Sequence, residues 1–174
     1  ASTSEIMAMG MPYAAMWRYL GSATPSYGNM VSTFHTFYEA YPTPSGALSA
    51  IDCRQMDALA SIMRNINSRY ALPQAMVDSL QVLDGFATPL FFDLGDYVDH
   101  LCANATLLSD FHAQLKRAVP YAASTQTLYS YLYDHPVYIP VNTFSGITIS
   151  DPSTSSVAEK GKKNTEWWKA THEE

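Results

Sequence analysis

The chain passes from a short apolar run, Ala47-Leu48-Ser49-Ala50-Ile51, into a long amphipathic stripe with only Asp52 marking the change. The run follows the turn-forming segment Pro42-Thr43-Pro44-Ser45-Gly46, and its length suits a buried strand better than a helix. Asp52 reads as a helix N-cap with Gln55 three residues on, an arrangement in which the carboxylate accepts backbone N–H groups and the amide reaches back. Met56, Leu59, Met63, Ile66 and Tyr70 then recur at steps of three and four. One face of that helix must therefore pack against a sheet or another helix. A strand that feeds a capped helix needs other strands beside it, which points to an α/β arrangement.

The rest of the chain extends this pattern. Helices are predicted over residues 12–20, carrying Tyr13, Met16, Trp17 and Leu20, and over 28–41, carrying Met30, Phe34, Phe37 or Tyr38, and Tyr41. Another is predicted over 73–83 with Met76, Leu80 and Leu83 on one face and Gly85 closing it. One more starts near Asp93 or Gly95 with Tyr97, Val98 and Leu101, and the last long one covers 106–118 with Leu107, Leu108, Phe111 and Leu115. After Val119 the texture turns to β: Val137, Ile139 and Val141 alternate, and residues 144–150 form a strand in which Gly146 marks a bulge or a close backbone approach. Residues 153–163 read as a polar linker with Lys160, Lys162 and Lys163 solvated, and a terminal helix from Asn164 docks Trp167 and Trp168.

The expected whole is a single α/β domain. It divides into residues 1–13, a mainly helical stretch 14–118 with one strand, strands over 119–150, the linker 151–163 and the terminal helix 164–174. Helices pack on a sheet that reads as only partial, since the pattern lacks the strands of a complete doubly wound sheet. The chain also begins at Ala1 with no start methionine, which reads as an interior cut. With Lys+Arg 10 against Asp+Glu 16, a net charge of −6 repels phosphate backbones and argues against nucleic acid as a partner. The apolar runs are all broken well short of a membrane span.

Side chains able to carry chemistry are few. Cys53 follows a strand, where α/β enzymes place reactive groups, but the carboxylate of Asp52 beside it raises a thiol pKa rather than lowering it. Cys102 lies beside an apolar helical stripe, and the two cysteines leave the redox compartment open. His35, His100, His112, His135 and His172 lack the spacing of a zinc site. Asp93, Asp96 and Asp99 around Gly95 suit a capped helix start better than a calcium loop, and no glycine pattern matches a phosphate loop.

A family enters through several segments in order. Ser2-Thr3-Ser4-Glu5 and Gly10-Met11-Pro12-Tyr13 resemble the Ser-x-x-Glu and Gly-x-Pro-Tyr loop of the clostripain family of cysteine peptidases. Leu48-Ser49-Ala50-Ile51-Asp52 is similar to that family's strand before a long helix, and Asp93-Leu94-Gly95-Asp96-Tyr97 to its Asp-Leu-x-Asp-aromatic helix start. Phe144-Ser145-Gly146-Ile147-Thr148-Ile149 resembles its late glycine-containing strand, and Trp167-Trp168-Lys169 its terminal helix.

The resemblance implies the C-terminal half of a caspase-like (clostripain/gingipain-type) fold, endopeptidase activity after Arg or Lys, secretion or a cell-envelope location, and maturation by internal cleavage. The family's catalytic His-Gly and Asp-x-Cys motifs do not occur in this sequence. The resemblance therefore implies that a complementary N-terminal segment supplies both residues, and that a peptide or protein is the substrate. The alternative is a non-catalytic binding module of the same fold. No cofactor is expected from the residues, and calcium enters only through the resemblance. The expected substrate-binding residues are Ser4, Glu5, Met7, Met9, Gly10, Met11, Pro12 and Tyr13. Glu5 would either face a basic side chain or hold the loop through backbone hydrogen bonds, and Met7, Met9 and Met11 would line a pliant pocket or belong to the core.

Overall fold

The computed structural model describes residues 26–172. The expected helix over 12–20 and the loop before it lie outside them. Helix α1 (Tyr27–Glu39) is capped by Ser26, whose hydroxyl accepts from Asn29 N–H, and it buries Met30, Val31, Phe34 and Phe37. That face packs on strand β1 (Ala47–Ala50) through Leu48 and Ala50, forming a small core of its own. Asp52 does act as a cap, but of a short 3-10 turn, Cys53–Gln55, and helix α2 (Met56–Asn67) starts after it. Gln55 does not reach back to complete the box, because its side-chain and main-chain oxygens both accept from the buried amide of Gln114. As predicted, Leu59, Met63 and Ile66 on α2 are fully buried.

Residues 73–83 correct the helical expectation. Only a 3-10 segment, Gln74–Ser79, forms, and strand β2 (Val82–Gly85) follows, antiparallel to β3 (Pro89–Asp93). Tertiary bonds override the helical spacing at Gln81. Its N–H donates to the Asp96 carboxylate at 2.6 Å, its amide donates to the Pro140 carbonyl, and its side-chain oxygen accepts from Asn142 N–H. Gly85 therefore ends a strand rather than a helix, and a Cβ there would come within 2.5 Å of Leu132 Cδ1.

Helices α3 (Leu94–Leu101) and α4 (Ala105–Ala118) match their expected spans closely, and with α2 and β3 they enclose the main core around Phe92, Leu94, Val98 and Phe111. Strand β4 (Tyr121–Ser124) pairs antiparallel with β1. Among the described residues before Val119 there are three strands, β1, β2 and β3, rather than the single one expected.

Strands β5 (Thr127–Leu132) and β6 (His135–Pro140) form a hairpin with Tyr133 and Asp134 both at positive φ, the signature of a type I′ turn. Leu132 and Ile139 are buried while Tyr129, Tyr131 and Tyr138 are exposed. The predicted strand over 144–150 contracts to β7 (Thr148–Ile149), which pairs with β3. The expected linker contains helix α5 (Ser156–Lys162), capped by Ser155, and Lys162 is buried rather than solvated. Helix α6 (Glu166–His172) docks on α2, with Arg64 and Asn67 donating to the Ala170 and Thr171 carbonyls and Trp167 against the main core. The described residues thus form helices packed on small sheets, with no helix long and apolar enough to cross a membrane.

Candidate functional site

Three of the segments that carried the resemblance meet at one joint. Asp93, fully buried at the N-terminus of α3, accepts from Asp96 N–H at 3.0 Å through Oδ1 and from Ser145 N–H at 2.6 Å through Oδ2. Ser145 Oγ accepts in turn from Gly95 N–H at 3.1 Å. The next residue, Gly146, has φ of +88°, and its carbonyl accepts from the Ser49 hydroxyl of β1 at 2.7 Å. A Cβ on Gly146 would sit 2.6 Å from Val119 Cγ1 and 2.9 Å from Ala122 Cβ, so the close backbone approach expected of this glycine is present. The 145–146 segment thereby ties the β1–β4 sheet to the start of α3.

A cavity of about 320 Å³ opens beside the joint, lined in part by Gly95, Ser145, Ala122, Asp99 and His112. The His112 ring nitrogen Nε2 lies 2.7 Å from Asp99 Oδ1, and both side chains are close to half-exposed. On α1, His35 Nε2 is 3.0 Å from the Ser124 carbonyl and helps hold α1 against β4. His100 bonds the Asp96 carbonyl, exposed His135 the Pro136 carbonyl, and His172 stacks on Trp168 with ring centroids 3.7 Å apart.

The three aspartates do not converge. Asp93 and Asp96 accept backbone N–H groups while Asp99 faces His112, and no cluster of three acidic, histidine or cysteine side chains placed for a metal occurs among the described residues. Cys102 is buried, with Sγ 3.6 Å from the Asn104 carbonyl oxygen. Cys53 is exposed at the start of its turn, next to an Asp52 whose carboxyl the Arg54 guanidinium holds below the usual carboxylate range.

The expected substrate-binding residues, Ser4, Glu5, Met7, Met9, Gly10, Met11, Pro12 and Tyr13, lie outside the described residues. Gln81, which fixes the start of β2, and Asp151, which lines a cavity beside α3, were not singled out by the sequence. Gln81 sits between Leu80 and Val82 with no periodic signal of its own, and Asp151 stands in Ser150-Asp151-Pro152, which reads as an ordinary turn.

No protein-family model matches the sequence, and no curated protein does. Solved structures match strongly. A clostripain from Bacteroides thetaiotaomicron, in complex with the peptide inhibitor BTN-VLTK-AOMK, is 46% identical with a TM-score of 0.83, over 97% of this chain and 73% of its own. A secreted C11 cysteine protease from the same organism is 45% identical with a TM-score of 0.83, over 93% of this chain and 45% of its own. An inactive zymogen C11 protease from Parabacteroides distasonis shares the fold at 24% identity and a TM-score of 0.70, over 88% of this chain and 45% of its own. The chain thus spans less than half the length of two of these relatives and about three quarters of the other. By its identity to these structures across nearly its whole length, the chain belongs to the clostripain (C11) family of cysteine proteases.

Proposed function

We propose that this chain is the scaffold and one wall of the specificity pocket of a cysteine endopeptidase that cleaves after lysine or arginine. One observation carries the reading: 46% identity over 97% of the chain to a clostripain held by a peptide inhibitor whose peptide, VLTK, ends in lysine. The nucleophilic cysteine and the histidine base come from a complementary N-terminal segment of the same protein. There the thiolate attacks the scissile carbonyl, and the imidazole passes its proton to the leaving amine. Two features of the chain agree. Among the described residues β1 pairs on one edge only, with β4, which leaves its other edge able to take a strand from that segment. The charge of −6 favours the approach of cationic peptides.

A lysine or arginine side chain leaving water needs a carboxylate to offset its desolvation, and we assign that part to Glu5, with Met7, Met9 and Met11 adapting around the stem. Ser4, Gly10, Met11, Pro12 and Tyr13 shape the loop that presents it. Secretion or a place in the cell envelope belongs to the same reading, since one relative is a secreted protease.

The test is turnover of lysine, arginine and neutral peptide reporters by the protein encoded with its upstream sequence. Glu5→Gln is expected to lower kcat/KM for the basic reporters by roughly 10- to 100-fold while sparing the neutral one. Equal losses on all reporters would make Glu5 a loop-holding residue. An upstream sequence without Asp-x-Cys and His-Gly would favour a non-catalytic module instead.

A further inference from the structure

A cavity of about 390 Å³ lies between the end of α2, the segment from Tyr70 to Gln74, α3 and the turn at Asp151. Its volume falls within the range of small-molecule sites, roughly 300 to 1,000 Å³. The walls differ in kind: Leu72 and Val77 are apolar, Tyr70 and Tyr97 aromatic, Asp151 and Glu159 acidic. Asp151 Oδ2 is buried, and no hydrogen-bond donor among the described residues reaches it. A carboxylate oxygen in that position calls for a donor, because leaving it unmatched costs the full desolvation of a charged acceptor.

Lys162 is the obvious candidate from the protein itself, but its hydrogen bonds go to other acceptors. Its Nζ donates to the main-chain carbonyl of Asp151 at 2.7 Å, pairs with the Glu159 carboxylate, and stands 5.1 Å from the centroid of the Trp168 ring. Those two hydrogen bonds use two of the three ammonium N–H bonds, and none of the three reaches Oδ2. The other titratable groups around the cavity add no cation at neutral pH. Burial and the Asp151 charge raise the Tyr97 pKa, so the phenol keeps its proton. Desolvation, aided by the Lys162 charge, lowers the His172 pKa and keeps the imidazole neutral. Hydrogen bonding to Lys162 keeps Glu159 ionised.

We propose that this cavity binds a small organic cation, a primary ammonium or a guanidinium on a short apolar stem, with Asp151 Oδ2 as its acceptor. Tyr70 and Tyr97 put aromatic rings in the same walls as the carboxylate, and Leu72 and Val77 offer cover to the stem. A bare metal ion fits less well, since no set of three acidic, histidine or cysteine ligands gathers among the described residues.

The experiment is calorimetric titration of the whole protein with n-butylammonium and n-butylguanidinium, using n-butanol as the uncharged control, for wild type and Asp151→Asn. One saturable site in the wild type, weakened about tenfold or more by Asp151→Asn and absent for butanol, is the expected result. Burial pushes the Asp151 carboxyl up to about 6 against the opposing Lys162 charge, so wild-type affinity should fall roughly tenfold one pH unit below that value while the amine stays charged. This second measurement decides alone if Asp151→Asn fails to fold by circular dichroism. An absence of saturable binding, equal binding by Asp151→Asn, or affinity unchanged on acidification would overturn the proposal. Amine held through Glu5 would survive Asp151→Asn, and Glu5→Gln would remove it, so this site and the proposed specificity pocket are separately testable.

Discussion

Asp93 and Asp151 are carboxylates in opposite circumstances. At Asp93 each oxygen accepts a backbone N–H, one from α3 and one from the 145–146 segment, so burial costs the ion little and its geometry joins two parts of the fold. At Asp151 one oxygen is buried without a donor, and the nearby lysine is engaged elsewhere. A buried carboxylate whose oxygens are matched is a fastener. One left unmatched holds binding capacity that the fold does not use, at some cost to its own stability.

The largest expected effect breaks the fastener. Asp93→Ala should destabilise the protein by about 3 kcal/mol or more, because it removes the α3 cap and strands the Ser145 N–H in the interior. Asp93→Asn keeps one acceptor and should cost less, about 1 to 2 kcal/mol, in the same urea unfolding series. If Asp151→Ala proved as damaging as Asp93→Ala, the contrast between the two sites would fail. Next comes Gly146→Ala, expected to cost about 2 kcal/mol. Its φ of +88° strains any L side chain, and the added methyl meets Val119, Ala122 and Ser49 at 3.0 Å or less.

The sequence makes Asp93 legible and Asp151 not, and the reason is physical. A cap is a local event: an aspartate directly before an apolar helical stripe needs only its own next few residues to find its role, and Asp93 and the α1, α2 and α4 stripes follow that logic. Gly146 is legible for a similar reason, as a glycine interrupting a β-rich run. Residues 73–83 mislead because Met76, Leu80 and Leu83 keep helical spacing while Gln81 is fixed by Asp96, Pro140 and Asn142, partners 15 to 61 positions away. Lys162 misleads in the same way: three lysines within four residues look solvated, yet the Asp151 carbonyl and Trp168 draw one of them inside. The resemblance placed the candidate specificity loop on residues 4–13 by motif alone, and motif order carried the family as far as the structural relatives do.

The next effect sharpens the contrast through pH. An unfolded aspartate titrates near 3.9, whereas burial puts Asp151 at about 6 in the folded protein. Between these values the folded state holds the extra proton. The contribution of Asp151 to stability is therefore fully present below about pH 4, falls as pH rises toward 6, and is flat above. Asp52 and Glu159, held low by Arg54 and Lys162, slope the other way and lose their contribution on acidification. The clean observable is thus the urea midpoint of wild type minus that of Asp151→Asn from pH 4 to 8, which should decline through the middle of the range. A level difference would mean that Asp151 is solvated.

The smallest effect concerns a carboxylate that is neither fastener nor vacancy. Asp52 receives Arg54 in a two-pronged pair, both contacts at 2.8 Å, but the Arg54 side chain is 87% exposed, so solvent reaches the pair from that side. Water replaces such a partner almost without loss, and ordering the long side chain opposes the attraction. Asp52 also accepts the Arg54 main-chain N–H at 3.1 Å, a bond that survives any change of that side chain. Arg54→Gln should therefore leave the urea midpoint at neutral pH unchanged, whereas Asp52→Ala should lower it by removing the acceptor that starts the 3-10 turn. A clear loss in Arg54→Gln would show that the pair braces the passage from β1 into α2, and the ranking of carboxylates by their backbone donors would then need a term for side-chain partners at the surface.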